Sequence, residues 1–132
     1  MSETTKKNGL SAVNWKRFTV IALIGAVANL AVFDAGSLAG ATWIANGQTL
    51  GWYMVVFASL FPLFVAALVT ALLAKKWSHA ITVFSWVGLV FGVITAPTTF
   101  FATADTVSAV SLAFMHVIAG VTWFVGIRST KN

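Results

Sequence analysis

Cysteine is absent from the 132-residue chain, which excludes disulfides, thiolate metal sites and thiol chemistry and leaves the compartment unreadable from cysteine usage. Charge is scarce: three acidic and eight basic residues, 8% of the chain, against roughly a quarter in soluble domains. With 59% hydrophobic residues, a soluble fold of this size has too little polar surface to cover its apolar content. A bilayer removes that demand, because it makes an apolar exterior favourable. Internal repeats and low-complexity tracts are missing too, and the length suits one domain.

What is present is four long apolar runs: Phe18–Ala39, Trp52–Ala74, Ala80–Phe101 and Thr106–Ile127. Each meets the roughly 20 residues needed to cross a hydrocarbon core, and none shows the alternation of a membrane β-strand. The expected fold is all-α, an antiparallel transmembrane four-helix bundle over 18–127. A basic segment (1–17) precedes it and a basic tail (128–132) follows. The net charge of +5 follows the same plan. Lys6, Lys7, Lys16 and Arg17 lead the first run, Lys75 and Lys76 join the second to the third, and Arg128 and Lys131 follow the fourth. Basic residues on alternate connections predict both termini inside, with Ala41–Gly51 and Ala102–Asp105 outside. Nothing resembles a groove-reading element, so nucleic acid is not an expected partner. Trp15 and Trp77 fall at the inner boundary and Trp43, Trp52 and Tyr53 at the outer, where indole and phenol rings favour the headgroup level. Trp86 and Trp123 fall within spans and are expected to pack.

The first run exceeds the 7–15 apolar residues of a secretory signal and contains Asp34, so it reads as a retained span. Met1–Asn8 is expected to be disordered and Leu10–Arg17 to lie on the inner surface. Because lipid tails are as apolar as leucine, helices associate through close backbone approach and occasional hydrogen bonds. Ala22, Gly25, Ala26, Asn29, Gly36 and Gly40 form one stripe of the first span. Ser85, Gly88, Gly92, Thr95 and Thr99 form a face of the third. Ala67 and Ala71 serve the second span, and Ser108, Ser111, Ala119, Gly120, Thr122 and Gly126 the fourth. Pro62 and Pro97 each remove a backbone donor within a span, and Thr95, Thr98 and Thr99 surround the second of them.

Polar side chains inside the spans are the candidates for function. At 1.5 Å per residue, Asn29 lies about 16 Å from the inner boundary, as does His116, while Asp34, Ser59 and Thr95 lie about 20–24 Å from it. Intramembrane ionisable residues mark a functional hypothesis by default. No Lys or Arg is available at the depth of Asp34, so its carboxyl must meet hydroxyls, water or a proton. Asn29 and Asp34 are about 140° apart around the helix, so Asn29 with His116, in an interhelical hydrogen bond, is the better pair. Asn29, Asp34, Ser59, Thr95 and His116 are the candidate intramembrane polar residues, but Asn29 and Asp34 cannot share one helix face, which speaks against a single compact Asn–Asp–His site. His79 lies too far from His116 in depth for bis-histidine haem, and a catalytic zinc site needs ligands that are lacking. No nucleophilic triad, phosphate loop or paired catalytic carboxylates can be assembled. The expectation is no metal, no cofactor and no enzymatic activity.

Ala26-Val27-Ala28-Asn29-Leu30, Leu112-Ala113-Phe114-Met115-His116, and Phe84-Ser85-Trp86-Val87-Gly88 leading to Ala96-Pro97 carry a likeness. In these segments the chain resembles a family of small, four-span bacterial membrane proteins catalogued as a domain of unknown function. The resemblance covers most of Arg17 to Ile127. It implies the four-span architecture, draws attention to Asn29 and His116, and implies no activity. Small multidrug exporters are also four-span chains with an acid in the first span, but here the acid is displaced outward and its surrounding motif is missing. The leading expectation is a non-enzymatic accessory subunit of the inner membrane, in contact with lipid and associating with itself or a larger complex. The alternative is a small transporter or lipid-binding bundle that uses Asp34 and His116.

Overall fold

The computed structural model describes residues 12–128; the expectations for Met1–Asn8, for the start of the Leu10–Arg17 segment and for Lys131 lie outside them. Four long apolar helices pack together. α1 spans Trp15–Leu38 and α2 Trp52–Ala74. The third span is α3 (Ala80–Thr95), a 3-10 turn (Ala96–Thr98) and α4 (Thr99–Ala102), and α5 spans Thr106–Arg128. The four are 24, 23, 23 and 23 residues long, enough to cross a hydrocarbon core, and they mark a multi-pass membrane protein.

Local chemistry sets the boundaries. α1 begins three residues before the expected Phe18, because the Asn14 side chain accepts from Arg17 N and caps the first turn. It ends where Gly40 N bonds Ser37 O and Ala41 N bonds Gly36 O, with Gly40 at φ +95°. That double closure is a Schellman motif, and it requires the left-handed backbone that glycine adopts without strain. Gly40 therefore terminates the helix. Its expected role in helix packing is corrected: a Cβ there would meet nothing within 4 Å. Pro97 falls in the 3-10 turn, and the neighbouring hydroxyls bond backbone carbonyls: Thr95 to Phe91 O, Thr98 to Thr95 O, Thr99 to Ala96 O and Ala109 O. α2 continues through Pro62 without a break.

α5 is the central element. It packs most extensively on α3, then on α1, and α1 packs on α2. α2 touches α3 lightly and α5 scarcely. Small residues explain the tight seams. A Cβ on Gly92 would lie 2.7 Å from His116 O and 2.9 Å from Gly120 Cα, and one on Gly88 would lie 2.0 Å from the Trp123 ring. Trp123 uses that space to donate from Nε1 to Phe84 O at 2.7 Å. Gly25 faces the Thr122 side chain, and Gly36 faces Ser111 and Trp43. Outward, Val, Leu, Ile and Phe side chains from all four helices are exposed, the surface a lipid solvent favours.

The core forms two apolar clusters. One, at the α1 N-terminal end, gathers Phe18, Ala22, Ala67, Ala71, Trp123 and Ile127, with Phe18 edge-on to Phe64 and Trp123. The other gathers Trp43, Val55 and Met115. Trp43 is thus buried rather than an exposed boundary anchor: it stacks on Phe33 at 4.5 Å between centroids and donates from Nε1 to Ser37 Oγ. Trp86 also departs from expectation, lying on the exposed surface edge-on to Phe124. Trp52, Tyr53 and Trp77 are exposed.

Candidate functional site

Because α2 leans on α1 and leaves α5 almost untouched, space opens between the two clusters. A cavity of about 870 Å³ lies between α1, α2 and α5, lined by Asn29, Ser59, Met115, His116 and Ala119 on its inner wall and by Leu50, Tyr53 and Phe57 toward its mouth. A second, of about 460 Å³, lies between α2, α3 and α5, from Pro62 and Thr70 across to Gly92, Thr95 and Trp123. His116 and Ala119 line both. The walls of each are overwhelmingly apolar.

Hydrogen bonding orients the polar groups at the first cavity. Ser59 Oγ donates its one proton to Val55 O at 2.6 Å. It can therefore only accept from Asn29, whose Nδ2 lies 2.9 Å away. That fixes which way the Asn29 amide is turned. Asn29 is buried, 4% exposed, and its Oδ1 has no hydrogen-bond partner among the described residues. His116 Nδ1 lies 2.7 Å from Leu112 O, one turn back on its own helix. A carbonyl can only accept, so Nδ1 carries the proton there. In the neutral ring Nε2 is then an acceptor.

The expected Asn29–His116 hydrogen bond is not formed. Each is held elsewhere, Asn29 by Ser59 and His116 by Leu112, and both face one cavity. Of the other candidate residues, Ser59 belongs with Asn29, and Thr95 lies at the second cavity with its hydroxyl on Phe91 O. Asp34 is separate: it is exposed on the outside of α1 and lines neither cavity. The helical rotation that parts it from Asn29 is the reason. No cluster of three or more metal-ligating side chains occurs among the described residues.

A second polar cluster escaped the sequence reading. Asp105 accepts from Thr42 Oγ1 and N and from Ser108 Oγ and N. Donation by the Thr42 hydroxyl first, and then by Ser108, holds its carboxyl far below the usual range. Ser108 Oγ also accepts from Trp43 N, supporting that residue at φ 57°. Ile44–Ala45 and Gln48–Thr49 form a hairpin across Asn46-Gly47, both at positive φ. The hairpin is pinned to the α4–α5 turn by Asn46 N to Ala102 O and Ala104 N to Ile44 O. Two signals were available: an Asp directly before an apolar helix is a capping residue, and Asn-Gly is a hairpin turn. The contact between them joins residues about 60 apart, which no local pattern shows.

Comparison with known proteins gives one family. The sequence model of a family described as "Family of unknown function (DUF6069)" matches residues 10–132. No curated protein and no solved structure matches the chain.

Proposed function

Because the chain belongs to the DUF6069 family, whose function is unknown, we propose a role from the site alone. The protein is a non-enzymatic bundle that crosses a bacterial inner (plasma) membrane four times, antiparallel, with both termini cytoplasmic. It holds an apolar small molecule or lipid between α1, α2 and α5. The cavity of about 870 Å³ beside Asn29, Ser59 and His116 carries this reading: its volume and its few polar groups on apolar walls suit a small-molecule site. Tyr53 and Phe57 at its mouth are exposed on the flank of the bundle, so a ligand dissolved in the bilayer enters sideways without crossing water. Catalysis is disfavoured because Ser59 already donates to Val55 O and accepts from Asn29, and no carboxylate lines the cavity. Lys16 and Arg17 before α1, Lys75 and Lys76 after α2, and Arg128 at the end of α5 support the orientation.

Ala58 lines the cavity and is exposed, so Ala58→Trp fills the space without disturbing a packed seam. Native mass spectrometry of protein extracted in mild detergent should show a retained apolar molecule on the wild type and none on Ala58→Trp. Equal retention by both would sink the reading. For orientation, a single cysteine at Asn46 should react with an impermeant maleimide on intact cells and one at Lys76 should not.

A second reading, association with itself or a larger membrane complex, rests on Asp34. Its side chain is exposed on the flank of α1 with no hydrogen bond or ion pair among the described residues, and a carboxyl group at such a place wants a polar partner. Under this reading the wild type is oligomeric or partner-bound in mild detergent, and Asp34→Leu dissociates it.

A further inference from the structure

At the helix-buried side of the larger cavity, the one buried polar side-chain atom without a partner among the described residues is an acceptor. We propose that the cavity's ligand is an uncharged apolar alcohol or phenol whose hydroxyl donates its one proton to Asn29 Oδ1 deep between the helices, with His116 Nε2 a second acceptor at the same cavity, an inference that rests on the binding role proposed above. The orientation of Asn29 follows from a chain of single-proton constraints. Ser59 spends its proton on Val55 O, so Asn29 turns Nδ2 to Ser59, and the buried Oδ1 is left an acceptor without a partner among the described residues. His116 commits Nδ1 to Leu112 O, so the ring nitrogen that remains is, in the neutral ring, an acceptor as well. Pro62 has no N–H for the carbonyl of Ala58, one turn earlier and also on the cavity wall.

A wall that offers acceptors selects a donor. Phosphate, carboxylate, ester and ether groups bring only lone pairs and would leave Asn29 Oδ1 unmatched, and no Lys or Arg lines the cavity to attract an anion. An ammonium would donate, but no carboxylate is there to balance its charge away from water. A neutral hydroxyl satisfies both conditions, and the rest of the wall accepts hydrocarbon. Leu50 and Tyr53 lie at the loop end of α2, while Asn29, Ser59 and His116 lie at mid-helix. The hydroxyl therefore leads and the hydrocarbon trails toward the mouth.

The test uses the full chain in nanodiscs and two probes with the same isoprenoid chain, tritiated farnesol and unlabelled farnesyl methyl ether as competitor. In the ether a methyl group replaces the hydroxyl proton, which removes the donor. Farnesol should bind about tenfold more tightly than the ether, the change that one net hydrogen bond supplies. Asn29→Leu should abolish most of that preference while keeping affinity for the ether, and Ala58→Trp should remove both. If the wild type binds farnesol and its ether equally, the donor requirement is wrong and the cavity reading survives. If it binds neither, or if Ala58→Trp binds both as well as wild type, the cavity reading falls and this inference falls with it. The wild-type comparison needs no variant to fold.

Discussion

Gly92→Ala tests the seam on which the rest of the bundle is built. A Cβ at Gly92 would lie 2.7 Å from His116 O, 2.9 Å from Gly120 Cα and 3.1 Å from Gly120 N, all backbone atoms, whereas ordinary contact begins at 3.4 Å. No side chain can rotate away, so α3 and α5 must separate by about 0.7 Å at the crossing. A gap of that size forfeits a quarter to a half of each dispersion contact along the most extensive interface in the protein. It also strains the Trp123–Phe84 hydrogen bond, now 2.7 Å. Overpacking of this kind costs about 1–3 kcal/mol, offset by up to about 1 kcal/mol because alanine is the better helix former. The net loss is about 0–2 kcal/mol, and because the clashing atoms are backbone on both sides the upper half of that range is expected, roughly 5- to 30-fold in the folding constant. The assay is SDS-driven unfolding in mixed micelles, followed by tryptophan fluorescence. Gly126→Ala is the internal control: its nearest neighbours would be Phe18 ring carbons at 3.1 and 3.3 Å and an Ile21 methyl at 3.5 Å, side-chain atoms that need give by only a few tenths of an ångström, so the cost should be smaller. Gly92→Ala unfolding at the wild-type SDS fraction, or Gly126→Ala proving the more damaging, would refute the reasoning.

Three further outcomes are expected. Gly88→Ala should destabilise strongly in the wild type and much less in a Trp123→Ala background, with a coupling of about 0.5–3 kcal/mol in a double-mutant unfolding cycle, because the nearest atoms to such a Cβ all belong to the Trp123 ring. Asp105 has a folded-state pKa below its unfolded 3.8, so its stabilisation is complete above about pH 4 and is lost as pH falls further. The unfolding midpoint of the wild type should therefore drop on acidification, and Asp105→Asn should start lower at pH 7 with a flatter acid limb. Gly40→Ala should cost about 1–2 kcal/mol by thermal unfolding, from the left-handed backbone rather than from packing.

Much of the bundle is legible in local pattern. Span length, the small-residue faces of the third and fourth spans and the buried stripe from Ala22 to Gly36 all follow from the period of a helix and the composition of lipid. Gly40 shows the limit of that logic: it continues the stripe in number, but the helix has already ended beneath it. Trp43 shows another. An indole next to an outer loop suggests a headgroup anchor, yet a positive φ and bonds from Ser108 and to Ser37 turn it into the core. Asn29 and His116, expected at one depth, line one cavity. Their hydrogen bond was not formed because each had a nearer acceptor or donor, and equal depth says nothing about angle around the bundle.

Composition alone, with 8% charge and four uninterrupted apolar runs, determined that this protein is built of membrane-length helices, since backbone polar groups without water must be satisfied within each segment. Only the tertiary structure decided how those helices are spaced. Glycines at 88, 92 and 120 draw α3 onto α5, no such contact draws α2 inward, and the difference leaves a cavity beside Asn29, whose amide oxygen has no partner among the described residues. A seam depends on two surfaces meeting, and that is a property of pairs of helices rather than of any stretch of chain.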